Sequence, residues 1–462
     1  MTRKPGCLAA LARPSIRYAI LGLLFGLAFS LGMPPLEVAD EPQHFFRTYQ
    51  ITQGDWIAVR QGNRLGGPIP DSLVRTERLI RHDIYAHPEN KRIIAHIRQA
   101  LEIPLNPDQR SFVIFSGSGL YNPLPYLPAA AAITAGKWAG APPVVLTYLG
   151  RWANLLTATL IIALAIRITP AYQNVLTLLA LMPMTVHQLA SLSPDALAIS
   201  LSFLLFAGFL RLAWGPGESV STRAMVGLTS LAALVSLSKS VYFPLTLLVF
   251  LIPARRMGGW RRHLTIGGAM VAFSAALFLA WGTVAGQLTV THLRGGMPFP
   301  MAKLFILSHP FGYLERVFDN LATYLPFYLH SFVGMLGWLN IELSVAMVAV
   351  YLTVLVVVSL VDGPPMIGLT PLVRLLLLVV VGACVFLIIT SQYFIWTRIT
   401  SESIGQAQGR YFIPAAPVIC ALFHNRRLAG RISHNTLGIV SAAVPSIILV
   451  YAIGAVITRY YL

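Results

Sequence analysis

Apolar residues in this chain gather in runs of about twenty, separated by short polar stretches, rather than being spread as a soluble core would spread them. A membrane helix needs ~20 mostly apolar residues to cross ~30 Å of hydrocarbon. Runs of that kind fall near 16–33, 146–166, 171–190, 195–213, 223–238, 240–254, 263–286, 341–361, 370–391, 410–424 and 436–458. The pattern predicts an all-α polytopic membrane protein with about 11 transmembrane helices, forming one membrane domain over 1–462. Two intervening segments are long, 34–145 and 287–340. The first mixes acidic, basic, Pro and Gly residues and holds a candidate helix around Ser72 to Arg98 that is too charged for lipid. Its last part, Leu124 to Ala139, is apolar but short, with Pro123, Pro125 and Pro128 near its start, and reads as an interfacial or re-entrant piece. Arg3, Lys4, Arg13 and Arg17 come before or within the start of the first run, as in a secretory signal. That run is too long for one and no small-residue cleavage site follows before Met33-Pro34-Pro35, so it is expected to remain as the first span.

Composition strengthens this picture: 56% of residues are apolar, 11% are charged, and the mean hydropathy is +0.69. No soluble domain of this length could carry that without exposing hydrocarbon to water. The net charge of +17 would suggest nucleic acid in a soluble protein, but the basic residues fall mainly between apolar runs. Arg167, then Arg211 and Arg223, then Arg255, Arg256, Arg261 and Arg262, then Arg374, and finally Arg426, Arg427 and Arg431 all lie on one side if the N-terminus is cytoplasmic. That is the positive-inside pattern, and it excludes nucleic acid as the expected partner. It puts 34–145, 287–340 and the C-terminus outside. Counting Leu124 to Ala139 as a span would reverse every later loop. Cys7, Cys384 and Cys420 are too scattered for a disulfide framework or a metal site. No internal repeat supports an inverted-repeat transporter, and Walker, dinucleotide and zinc signatures are absent.

Candidate chemistry concentrates just outside the first span, in Met33-Pro34-Pro35-Leu36-Glu37-Val38-Ala39-Asp40-Glu41-Pro42-Gln43-His44-Phe45-Phe46-Arg47. A carboxylate at the lipid interface could take a proton from a hydroxyl, while His44 and Arg47, neighbours on a helical face opening after Pro42, offer donors to a phosphate. Alternatively, Asp40 and Glu41 cap a juxtamembrane helix.

The blocks PPLEVADEPQHFFRTYQITQGD, YNPLPYLPAA, LMPMTVHQLASLSPDALAIS, SFVGMLGWLN and QGRYFIPAAP, in that order, resemble the bacterial domain-of-unknown-function family 2142 over most of the chain. That family in turn resembles the GT-C superfamily of membrane glycosyltransferases, which take sugars from polyprenyl-phosphate carriers at the outer face. The resemblance implies a GT-C-like helical bundle in the bacterial cytoplasmic (inner) membrane. It implies a glycosyltransferase that acts on a cell-envelope glycan, lipid or protein acceptor, with Asp40 as base and Glu41 as the second acid of the pair. Membrane lipids would be its other partners. Some GT-C enzymes hold a divalent cation, for which Asp40, Glu41 and Asp195 are the candidate ligands. His292, His309 and His330 do not form a recognised metal-ligand spacing.

Further candidates follow from their outer position. Asp195, after Ser193-Pro194, is either a second interfacial carboxylate or a helix opener. Lys239, between two short helices, could hold a carrier phosphate or snorkel to the interface. Gln408, Arg410 and Tyr411 lie where the chain re-enters the membrane and could bind phosphate and line a sugar or lipid groove, or anchor the interface. Tyr121 and Asn122 offer sugar hydrogen bonds, or form an ordinary turn. Two other classes compete with the enzyme: a transporter or flippase of lipid-linked saccharides, which would want charges at the bilayer midplane, and a noncatalytic envelope-assembly subunit.

Overall fold

The computed structural model describes residues 13–86, 91, 93–290, 299–364, 369–397 and 403–462. Arg3, Lys4, Cys7 and His292 lie outside the described residues. Among those described, six helices are long and apolar enough to cross a membrane: Pro14–Gly32, Pro143–Ile168, Asp195–Trp214, Trp260–Leu288, Pro371–Trp396 and His434–Tyr460. Shorter apolar helices are Thr222–Ser238, Ser240–Leu251, Val345–Val361 and Gly409–Leu422. Leu24, Leu160, Leu279 and Leu378 on the long helices face outward with half or more of their surface open, as lipid contact demands.

The predicted span at 171–190 is not a continuous helix. Pro183 has no N–H and forces Met182 to ψ 136°, so the chain breaks into Gln173–Leu181 and Pro183–Leu189. Both pieces are buried on nearly every side by the other helices, which is where a broken membrane helix is tolerated. The predicted run at 240–254 departs in another way. Ser240–Leu251 is a 3-10 helix of 12 residues with Pro244 inside it. At ~2.0 Å per residue it reaches further than an α-helix of the same length would.

The segment 34–145 adds a little sheet to the mostly helical chain. It carries a three-stranded antiparallel sheet, β1 (Val59–Gln61), β2 (Arg64–Pro70) and β3 (Arg110–Ile114), with Gly66 opposite both Val59 and Ile114. The strand RLGGPIP is rich in Gly and Pro, residues that usually argue against a strand, so its sequence hides it. The candidate helix at Ser72 to Arg98 resolves into Asp71–Ala86 and Ile93–Leu101. Leu36, Phe45, Tyr49, Leu65, Ile69, Leu73 and Phe115 give this segment a core of its own. Leu127–Trp138, 12 residues and therefore ~18 Å long, cannot cross a bilayer and packs against Pro143–Ile168, in keeping with the interfacial reading.

The segment 287–340 is mostly helical among its described residues. Pro310–Val333 exposes Phe311, Leu314, Phe318, Leu325 and Leu329 and also carries Glu315, Arg316 and Asp319, the amphipathic character of a helix lying in a membrane interface. It leads into a hairpin pairing Met335–Leu336 with Ile341–Glu342.

Candidate functional site

Four of the blocks singled out in the sequence meet around Asp40. Ala39 N–H donates to Gly337 O (3.2 Å) in the hairpin turn, and Gly337 N–H donates to His187 Nε2 (3.3 Å). Gly337 has φ +62°, which suits glycine. Braced in this way, Asp40 adopts φ +63° and ψ 1°, a left-handed conformation that few non-glycine residues take and that asparagine and aspartate tolerate best. Asp40 occupies the N-cap position of the Glu41–Ile51 helix, yet its side chain makes no capping bond. The capping alternative therefore fails for Asp40. Its Oδ2 instead accepts a hydrogen bond from Arg410 Nη2 at 2.9 Å, across 370 positions of sequence.

Arg410 is delivered by a tight turn. Gly409 N–H donates to Ser331 Oγ (2.8 Å), and a Cβ at Gly409 would lie 2.2 Å from Phe332 N and 2.3 Å from Tyr328 O, so only glycine allows this approach. Arg410 is 3% exposed, donates to Gln188 Oε1 (3.3 Å) and Tyr411 Oη (3.4 Å), and has its Nε 3.7 Å from Asp195 Oδ2. Lys239 sits in extended conformation (φ −155°, ψ 105°) between the Thr222–Ser238 and Ser240–Leu251 helices. It does not snorkel outward. Its Nζ donates to Asp195 Oδ1 at 2.7 Å and lies 4.1 Å from the centroid of the Tyr411 ring. Asp195 thus faces both cations.

These groups line one cavity of about 350 Å³, together with Tyr121, Asn122, His44 and Gln43. The rest of its lining is mainly apolar, with Phe278, Trp281 and Ala285 from one membrane helix, Ile388 and Ile395 from another, and Leu237, and includes Thr289, Ser391 and Gln392. Trp281 Nε1 donates to Leu120 O (3.0 Å) and ties that wall to the segment 34–145. The His44 ring makes a 2.9 Å hydrogen bond through Nδ1 to the Tyr126 hydroxyl. Burial pushes its pKa down to about 4, so at neutral pH it is an uncharged ring rather than a cation for phosphate. Burial also raises Tyr121 to about 12, which keeps it a hydroxyl donor. Asn122 Oδ1 accepts from Leu124 N–H (2.9 Å), as the turn reading expects, and Asn122 also lines the cavity.

Three candidates fall elsewhere. Glu41 is fully buried and accepts from Arg151 Nε (2.8 Å), Arg151 Nη2 (2.5 Å) and Leu192 N–H (3.1 Å), which makes it a brace between the segment 34–145 and the Pro143–Ile168 helix rather than a cavity acid. Arg47 also points away, donating to Gln50 Oε1 (2.6 Å), Trp56 O (2.6 Å) and Asp55 O (3.4 Å). It closes a loop and does not reach the cavity. Gln408 precedes the turn without lining the cavity, and its carbonyl accepts from Tyr411 N–H (3.0 Å). The carboxylates do not form a metal-ligand set: Glu41 is engaged by Arg151, Asp195 by Lys239 and Asp40 by Arg410, and no group of three His, Cys, Asp or Glu residues suited to a metal occurs among the described residues.

A family model described as "Predicted membrane protein (DUF2142)" matches residues 23–419. The chain belongs to the DUF2142 family. Neither a curated protein nor a solved structure shows significant similarity to it. The matched region contains every residue of the cavity, from Asp40 to Tyr411. Within it, sequence reasoning passed over Gln43, Tyr126, His187 and Gln188, although each lies in a block already singled out. Nothing marked Trp281, whose apolar run reads as an ordinary span, and Arg151 is hidden in the same way inside a membrane helix.

Proposed function

We propose that this DUF2142 protein is a glycosyltransferase of GT-C type that moves a sugar from a polyprenyl-phosphate donor to a cell-envelope acceptor at the outer face of the bacterial cytoplasmic membrane, as in polysaccharide biosynthesis. One observation carries the reading. A strained, non-capping carboxylate, Asp40, shares a cavity with two cations, Lys239 and Arg410, and that cavity continues into an apolar wall of membrane helices. Such a mixed cavity suits a ligand that is anionic at one end and hydrocarbon at the other.

In this reading the Asp40 carboxylate accepts the proton of an acceptor hydroxyl as its oxygen attacks the anomeric carbon. The bond from that carbon to the phosphate oxygen breaks, and the electron pair leaves on the phosphate, where Lys239 and Arg410 balance the charge. Asp195 holds both cations in place. Tyr121, Asn122 and Tyr411 line the space where a sugar would sit.

The test follows labelled sugar from polyprenyl-phosphate carriers into surface glycan, at equal membrane abundance of each variant. Asp40→Asn is expected to lower transfer by about 100- to 10,000-fold, the usual loss when a general base is removed. Arg410→Ala should weaken use of the donor. Full transfer by Asp40→Asn would exclude the base assignment. Movement of the lipid-linked sugar across vesicles by the wild type, without transfer, would replace the enzyme by a flippase.

A further inference from the structure

The four charged side chains of the cavity cancel: Lys239 and Arg410 against Asp40 and Asp195. A phosphate arriving there finds both cations already matched, so one carboxylate has to give way. The two differ in how firmly they are held. Asp195 has a side chain 7% exposed and faces Lys239 at 2.7 Å and Arg410 at 3.7 Å. The Asp40 side chain is 37% exposed, and Arg410 is its one ion-pair partner among the described residues. A part-exposed ion pair is weak, whereas breaking a buried one is strongly unfavourable, so Asp40 is the group displaced. Arg410 Nε is buried and makes no hydrogen bond among the described residues, and it faces Asp195 Oδ2 at 3.7 Å, so the Nη2 contact to Asp40 is the one open to exchange on the cavity side. A guanidinium that gives one N–H to a displaceable carboxylate can pass that N–H to a tetrahedral oxyanion in the same cavity.

We infer that the donor's phosphate and the Asp40 carboxylate compete for Arg410, so that donor binding is the event that releases Asp40 toward the mouth of the cavity and sets the order of binding as donor first, acceptor second. This rests on the lipid-phosphate reading above. The consequence runs against intuition: removing the proposed base should tighten the hold on the donor phosphate. Until the phosphate reaches Arg410 the base stays paired, which guards against attack by water on a donor that is only partly seated.

The experiment measures binding to the purified full chain in nanodiscs, with farnesyl phosphate and inorganic phosphate as separate probes and no transfer step involved. Asp40→Asn is expected to bind farnesyl phosphate about fivefold more tightly than the wild type, the factor that corresponds to removing a competing ion pair at the upper end of the exposed range. Asp40→Gly, which suits φ +63° and also lacks the carboxylate, should show the same gain, and thermal unfolding of both variants checks that they are folded. Unchanged or weaker binding by both folded variants would overturn the competition while leaving the lipid-phosphate reading standing. No binding of farnesyl phosphate by folded wild type would overturn that reading itself. Inorganic phosphate held as tightly as farnesyl phosphate would overturn the lipid headgroup as its source.

Discussion

Asp40 and Glu41 are adjacent acids, and their environments predict opposite consequences of the same substitution. Glu41 is fully buried, with both carboxylate oxygens on Arg151 and one also taking Leu192 N–H. Glu41→Gln keeps the shape and one acceptor oxygen but leaves the Arg151 guanidinium with neutral partners alone, that amide oxygen and the carbonyls of Ser30, Met33 and Pro34, and turns an amide N–H toward its donors. Breaking a buried pair from one side costs about 3–5 kcal/mol, because an uncompensated charge remains. Asp40→Asn disturbs an ion pair whose acid is 37% exposed, while Arg410 keeps Asp195 nearby, so its expected cost is about 1 kcal/mol or less. The assay is reversible unfolding of purified protein in mixed detergent micelles, with transfer measured per folded molecule. Glu41→Gln should lose stability yet keep transfer in the folded fraction, and Asp40→Asn should do the reverse. The double variant Glu41→Gln with Arg151→Met should lose less than the two single changes added together, since no orphan charge is left. If Glu41→Gln were as stable as the wild type and inactive, Glu41 would be a chemical residue and the brace assignment would be wrong.

Two further outcomes are expected. Burial holds the folded-state pKa of His44 near 4, below its ordinary value of ~6.5, so the unfolded chain binds the proton first. Stability from this group is complete above pH ~6.5 and is lost as pH falls from there toward 4. His44→Gln should flatten that part of a melting-temperature profile, and parallel profiles for variant and wild type would refute the assignment. The second concerns orientation: with the N-terminus cytoplasmic, Arg60→Cys in a Cys7→Ser background should react with an impermeant thiol reagent added outside intact cells, since position 60 is exposed while Cys384 and Cys420 are buried. Labelling from the cytoplasmic side alone would reverse the topology.

Much of this fold is legible in the residues because a bilayer imposes a simple rule. Every backbone polar group must be satisfied internally, so long apolar runs such as 143–168 and 434–460 become helices regardless of what packs against them. The class and the two long segments between apolar runs therefore follow from the chain read in order. Where local and tertiary forces compete, the reading slips. Pro183 and Pro244 stand in apolar runs that read as plain spans, yet the first breaks its helix and the second lies in a 3-10 segment. The strand RLGGPIP has the composition of a loop and becomes a strand only because two partners flank it.

The site divides along the same line. Sequence alone picked out the residue types: Asp40, His44, Tyr121, Asn122, Asp195, Lys239, Arg410 and Tyr411 all line the same cavity. It could not decide which of two adjacent acids faces it, because a shift of one position along a turn separates a buried brace from a cavity carboxylate. Tertiary structure made that choice through two long-range partners. Arg151, buried in a membrane helix, claims Glu41, and Arg410, held at its turn by Gly409, claims Asp40. Ion pairs between residues 110 and 370 positions apart leave no periodicity in the chain, since their geometry exists only after the helices that carry them have packed.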